Sequence, residues 1–125
     1  MQSLYMADRL VFITYQSKQI LLIDVSGCSA AEVETIYRAA PELVTTRPPA
    51  SVLILSDCTG ASLNQDAIRA VKETTVFNKP YVKKSAVVGV NSLLPDVYND
   101  VKNFSNREFP AFETRAEAMA WLVQD

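Results

Sequence analysis

The sequence contains no histidine. That absence excludes Ser-His-Asp and Cys-His catalysis, imidazole proton shuttles and every metal site built on a His ligand. Cysteine is almost as scarce. Cys28 and Cys58 are too few for a disulfide framework and lack the Cys-x-x-Cys spacing of a redox or zinc motif, so reduced thiols are expected. No stretch approaches the roughly 20 apolar residues of a membrane span. The opening MQSLYMADRLVFITYQ lacks the basic start and long apolar run of a secretory signal, so a cytoplasmic protein is expected. Positive charge is not in excess either: 12 Lys and Arg against 14 Asp and Glu give a net charge of -2, which provides no global field to hold nucleic acid.

What is present is an apolar, well-patterned chain. Its 125 residues are 49% hydrophobic and 21% charged, without a repeat or a low-complexity tract, which predicts a single domain over 1–125 with one core. Leu10 to Tyr15 and Ile20 to Val25 are short apolar runs joined by the polar link Gln16-Ser17-Lys18-Gln19, the pattern of an antiparallel hairpin. Ser29-Ala-Ala-Glu32 has the spacing of a capping box, and Val33, Ile36, Tyr37, Ala40 and Val44 follow at helical intervals in phase across Pro41. One helix through the proline is therefore expected. Val52 to Leu55 reads as a strand covered on both faces.

The alternation continues. Ser62-Leu-Asn-Gln65 predicts a second capped helix ending near Asn78, and Ser85 to Val90 a fourth strand. Pro95 suits the first turn of a third helix, Ala111-Phe112 is a short fifth strand, and Thr114-Arg-Ala-Glu117 opens a last helix. The order ββαβαβαβα predicts an α/β fold: a mixed five-stranded sheet with an N-terminal antiparallel hairpin and helices covering the sheet. Strand order stays open at this level. Aromatics, among them Tyr37, Phe77, Phe104 and Trp121, are expected in the core.

This order of elements, together with Asp24-Val-Ser-Gly27 closing the second strand and the ending Phe112-Glu-Thr-Arg-Ala-Glu-Ala-Met-Ala-Trp-Leu122, resembles the STAS fold, and within it the bacterial SpoIIAA-like, or STAS/SEC14-like, family. The resemblance spans nearly the whole chain. It implies a non-enzymatic regulatory or binding module related to anti-sigma-factor antagonists, with a kinase or anti-sigma-like protein as partner. The SEC14-like side of the resemblance implies instead a carrier of a small apolar or anionic, lipid-like ligand. In antagonists of this family a serine in an Asp-Ser-Ser-Gly-type motif, after the third strand, is phosphorylated. Here the corresponding positions read Ser62-Leu-Asn-Gln-Asp66, and the nearest letters, Asp57-Cys-Thr-Gly60, fall earlier. Ser62 and Thr59 are thus the phosphorylation candidates, with helix capping the simpler role for Ser62.

Ligands in open α/β sheets bind beyond the carboxyl ends of parallel strands. The loops there contribute Gly27, Cys28, Asp57, Cys58, Thr59, Gly60 and Ser62 as candidate ligand or partner contacts. Thiol catalysis by Cys28 or Cys58 would need a helix N-terminus to lower a thiol pKa, and inert packing is the preferred role. Asp24 and Asp57 end apolar strands, where carboxylates more often accept loop amides than hold a cation. Lys79, Lys83 and Lys84 form the one local basic cluster, read as solvated gatekeepers. A carrier would need an apolar cavity, for which Val97, Val101, Phe104 and Trp121 are the candidates. No cofactor and no metal are expected; self-association through a strand edge or the last helix is open.

Overall fold

The computed structural model describes residues 8–92 and 95–124. Its first two apolar runs form β1 (Leu10–Tyr15) and β2 (Lys18–Asp24), paired antiparallel from Leu10 opposite Ile23 to Tyr15 opposite Lys18. The link is tighter than the four polar residues suggest. Only Gln16 and Ser17 lie outside the strands, both at positive φ, 50° and 66°, the geometry that matches the twist of a two-residue hairpin.

Helix α1 (Ala30–Val44) opens with a complete capping box: the Glu32 amide donates to the Ser29 hydroxyl at 3.2 Å, and the Ser29 amide donates to the Glu32 carboxylate at 2.9 Å. It continues through Pro41 as one element and buries Val33, Ile36, Tyr37, Ala40 and Val44. After β3 (Val52–Asp57), helix α2 (Gln65–Asn78) starts later than expected. Its N-cap is Asn64, whose side-chain oxygen accepts from the Ala67 amide at 2.8 Å. Ser62 stands two residues before the cap, in the loop, where its amide donates to the Cys28 carbonyl at 2.9 Å, and asparagine satisfies the free amides as well as serine does.

The remaining elements are β4 (Val82–Val88), α3 (Pro95–Ser105), β5 (Ala111–Phe112) and α4 (Arg115–Leu122), with Thr114 accepting from the Glu117 amide at 3.2 Å. The strands stand in the order β1-β2-β3-β4-β5, and every pair after the hairpin is parallel. Each crossover therefore advances one strand in the same direction, and right-handed connections place α1, α2 and α3 on one face. Packing agrees. Leu21, Ile23, Val52, Ile54 and Val87 share a core with Val33, Ile36, Ala40, Val44 and Ala67. The other face, with Ile20, Leu22, Leu53, Leu55, Ala86 and Val88, meets Ala118 and Leu122 of α4.

Strand β3 feeds both cores, so all of Val52 to Leu55 is buried. Two aromatics expected inside lie outside: Phe77 is 55% and Phe104 56% exposed. The buried stripe of α2 runs Ala67, Ala70, Thr74, Asn78, which puts Phe77 one position out of phase with it. No helix among the described residues is long and apolar enough to cross a membrane.

Candidate functional site

Strands β2, β3 and β4 end together at one rim. Asp24 pairs in register with Asp57, and Asp57 with Val88. The loops beyond them are tied to one another: the Gly27 amide donates to the Thr59 carbonyl at 2.8 Å, and the Cys58 amide to the Val88 carbonyl at 2.8 Å. Gly27, Cys28, Asp57, Cys58, Thr59, Gly60 and Ser62 thus lie side by side. Gly89, at φ +85°, is packed so tightly that a Cβ would overlap the Thr59 backbone, so only glycine permits this approach.

The rim carboxylates are occupied. Asp24 Oδ1 accepts from the Ser26 hydroxyl at 2.6 Å and the Ser26 amide at 3.0 Å, and Asp57 Oδ1 accepts from the Thr59 amide at 3.0 Å. Their other oxygens share one guanidinium: Arg115 Nε donates to Asp57 Oδ2 at 2.7 Å, and its Nη2 lies 3.1 Å from Asp24 Oδ2. Arg9 adds a contact of 3.6 Å to Asp24 Oδ1. Burial pushes the Asp24 carboxyl up, but the Ser26 bonds and Arg115 outweigh it and hold it below its ordinary value. Burial likewise works against the Arg115 charge, and its two carboxylate partners raise its pKa nonetheless. Each carboxylate oxygen of the pair thus has a donor or a guanidinium beside it, and Asp24 is held ionised at neutral pH. Among the described residues no group of three or more Cys, Asp or Glu is placed to hold a metal ion.

The thiols are interior groups, Cys28 2% and Cys58 8% exposed. Burial pushes the Cys58 thiol up to about 12, with the Tyr37 hydroxyl offsetting part of the effect and the Asp57 and Asp24 charges adding to it. Cys58 is therefore a neutral thiol at physiological pH, whereas a nucleophile must be a thiolate. Thr59 and Ser62, in contrast, are exposed.

A second concave feature lies between the sheet and α1–α3. It is a cavity of about 80 Å³ whose wall is mostly apolar, including Ile54, Val71, Val87, Val97 and Val101. Tyr37, Cys58, Asn78, Ser85 and Arg107 interrupt that wall with polar atoms. Arg107 is the only charged side chain among the described residues that line it. Its Nη1 donates to the Thr75 carbonyl at 3.0 Å and its Nη2 to the Ser85 hydroxyl; no carboxylate of the described residues lies within ion-pair distance. Burial lowers its pKa from the ordinary value. Asn78 is 4% exposed, and its Oδ1 is buried without a hydrogen-bond partner among the described residues. Burial also holds the Tyr37 hydroxyl well above its ordinary pKa, so it stays neutral.

Of the four residues expected to line a cavity, Val97 and Val101 do so, and the other two do not. Phe104 faces solvent beside the Lys72 ammonium, 5.5 Å from its ring. Trp121 lies across the sheet, 5.7 Å from Phe112, because α4 follows the edge strand β5 and turns back over the opposite face. The lysine cluster is partly structural. Lys84 Nζ donates to the Trp121 and Gln124 carbonyls at 3.1 and 2.7 Å, and Lys79 Nζ to the Asn106 carbonyl at 3.1 Å. Lys84 thereby supplies cationic donors at the C-terminal end of α4. Lys83 lines a groove of about 340 Å³ with Lys18 and Arg47 at the opposite end of the strands from the rim.

Three residues of these sites, Asn78, Arg107 and Arg115, do not stand out on a reading for motifs. Asn78 carries a signal, since it is a polar residue in phase with the buried stripe of α2. Arg115 carries another: a cation in the first turn of a helix opposes the helix dipole and needs an acidic partner elsewhere. Arg107 sits in an irregular segment between α3 and β5, where periodicity says nothing. No protein-family model matches the chain, and comparison with curated proteins and with solved structures gives no significant match.

Proposed function

We propose that the chain is a non-enzymatic binding module whose ligand is a small molecule held in the cavity between the sheet and α1–α3. The observation that carries this reading is the orphaned Asn78 Oδ1. A buried acceptor without a donor costs about 1–3 kcal/mol, and here it lines a void with a guanidinium that has no carboxylate beside it. Volume bounds the occupant. At about 80 Å³, the cavity is about half the roughly 150 Å³ that holds benzene in an engineered core. It fits a few heavy atoms and excludes a whole acyl chain, which turns the carrier reading away from lipids and toward a small polar or anionic ligand. Native mass spectrometry of the chain purified without denaturation tests it. A mass excess that disappears on unfolding is expected; a bare chain mass, together with no response to small-molecule titration, contradicts it.

A second reading, a STAS-like regulatory module that meets a protein partner at the rim, is supported by the exposed hydroxyls of Thr59 and Ser62. A phosphoryl group on Ser62, two residues before the Asn64 cap, would add negative charge to the exposed rim. The intact mass of the chain isolated from its native host decides this: a phosphoryl group mapped to Ser62 or Thr59 supports it, and unmodified residues under all growth conditions oppose it.

A further inference from the structure

The wall of the cavity fixes more than a size. We propose that its ligand is a small hydroxycarboxylate of two or three carbons, the carboxylate set against Arg107 and the hydroxyl donating to Asn78 Oδ1. This rests on the reading of the cavity as a ligand site.

Charge sets the first half of the assignment. Arg107 is the only charged group on the described wall, and its two cavity-side bonds go to neutral acceptors, the Thr75 carbonyl and the Ser85 hydroxyl. A half-buried guanidinium with no anion beside it is a favourable place for a monoanion, whereas a cation would be repelled. The guanidinium has five N–H donors in a planar fork suited to a carboxylate, and the bonds to Thr75 and Ser85 leave several of them for a ligand. Tyr37 and Cys58, the other titratable groups on the wall, keep their protons at neutral pH, so nothing else there competes for the charge.

The orphan acceptor sets the second half. A carboxylate alone offers no donor to Asn78 Oδ1 and would repel it, so the ligand must bring an O–H as well. The two groups share one stretch of wall. Arg107 is anchored on the carbonyl of Thr75, and Asn78 lies about one turn further along the same helix. A compact molecule that carries a carboxylate and a hydroxyl on adjacent carbons can face both. The apolar wall of Val71, Val97 and Val101 takes the carbon, and about half the volume of a benzene-sized cavity leaves room for two or three carbons with their oxygens. A water molecule could donate to Asn78, but it would leave the guanidinium unbalanced.

The test is a set of ¹H–¹⁵N NMR titrations with glycolate, with acetate, which lacks the hydroxyl, and with ethylene glycol, which lacks the charge, in a carboxylate-free buffer. Glycolate should shift the amides of Tyr37, Thr75, Asn78 and Arg107 and bind about tenfold more tightly than either comparison, the usual effect of losing one hydrogen bond to a charged or buried group. Asn78→Leu should erase the preference for glycolate over acetate, and Arg107→Gln the preference over ethylene glycol. If Arg107→Gln fails to fold, the glycolate-to-acetate ratio in Asn78→Leu decides. Equal binding of all three probes, or preferences unchanged in the variants, overturns the hydroxycarboxylate and leaves the cavity as a ligand site. No shift of any cavity residue with any probe overturns both.

Discussion

Asp24 and Asp57 stand opposite each other at the ends of neighbouring parallel strands, and both reach the same guanidinium, that of Arg115. Two carboxylates side by side repel unless a cation lies between them. Here that cation comes from the first turn of α4, so one side chain bridges the two carboxylates and fastens the helix that covers the second face of the sheet.

Replacing that side chain exposes the repulsion. Arg115→Ala should destabilise the fold by about 1–3 kcal/mol at pH 7, between the values for surface and buried pairs because the group is partly exposed. Asp24 has its carboxyl held below the ordinary 3.8, so its share of stability is present above that pH and is lost as the pH falls toward its lowered folded value. Urea unfolding at pH 7 and at pH 3 should therefore show a gap between wild type and variant that narrows in acid. A gap of equal size at both pH values would contradict the assignment.

The two rim glycines should separate. Gly89 faces the Thr59 backbone where a Cβ has no room, whereas Gly27, at φ +65°, has no atom within 4 Å of that position. Gly27→Ala bears only the left-handed backbone cost of about 1–2 kcal/mol. Gly89→Ala adds a steric overlap between two backbones, and should cost about 3 kcal/mol or more or prevent folding. Thermal denaturation of the two variants side by side checks the order.

Alkaline stability should report Cys58. Its pKa rises from 9.0 to about 12 in the folded chain. The neutral thiol thus contributes stability that is complete below pH 9 and is lost as pH rises toward 12, by up to about 4 kcal/mol. Tyr37, held well above its ordinary 10.0, acts in the same direction but only from a higher pH. In Cys58→Ala the alkaline decline should therefore begin nearer pH 10 than pH 9. An unchanged onset in a pH series of denaturation curves would show that the thiol is not buried as described.

The hairpin carries strain that can be relieved. Gln16 and Ser17 both hold positive φ, a geometry favoured by Asn-Gly. The double substitution Gln16→Asn, Ser17→Gly should raise stability by about 1 kcal/mol. A loss of stability would mean that the two side chains make contacts that outweigh their backbone strain.

The alternation of apolar runs with helix starts made the α/β class and most element positions legible, since strand and helix differ in period and Ser29 and Thr114 announce their helices. The strand order was not legible, because adjacency depends on which face each helix covers, a matter of packing between distant segments. The rim was readable from the loops after β2 and β3. The cavity was readable only by half. Val97 and Val101 follow from the stripe of α3, but Trp121 crosses to the other face through the turn after β5. Ser62 gave way to Asn64 because two residues of equal capping strength, two positions apart, cannot be ranked by letters alone. Arg107 became a wall residue through tertiary placement, which no local pattern encodes.

A ligand between the sheet and α1–α3 would touch a different set of methyl groups from one on the opposite face. Intermolecular nuclear Overhauser contacts between glycolate and a methyl-labelled chain locate it directly. Contacts to the methyl groups of Ile54, Val71 and Val101, which line the cavity between the sheet and α1–α3, are the predicted result. Contacts to Leu22, Leu53 or Leu122 on the opposite face, or none to either set at saturating glycolate, would contradict it.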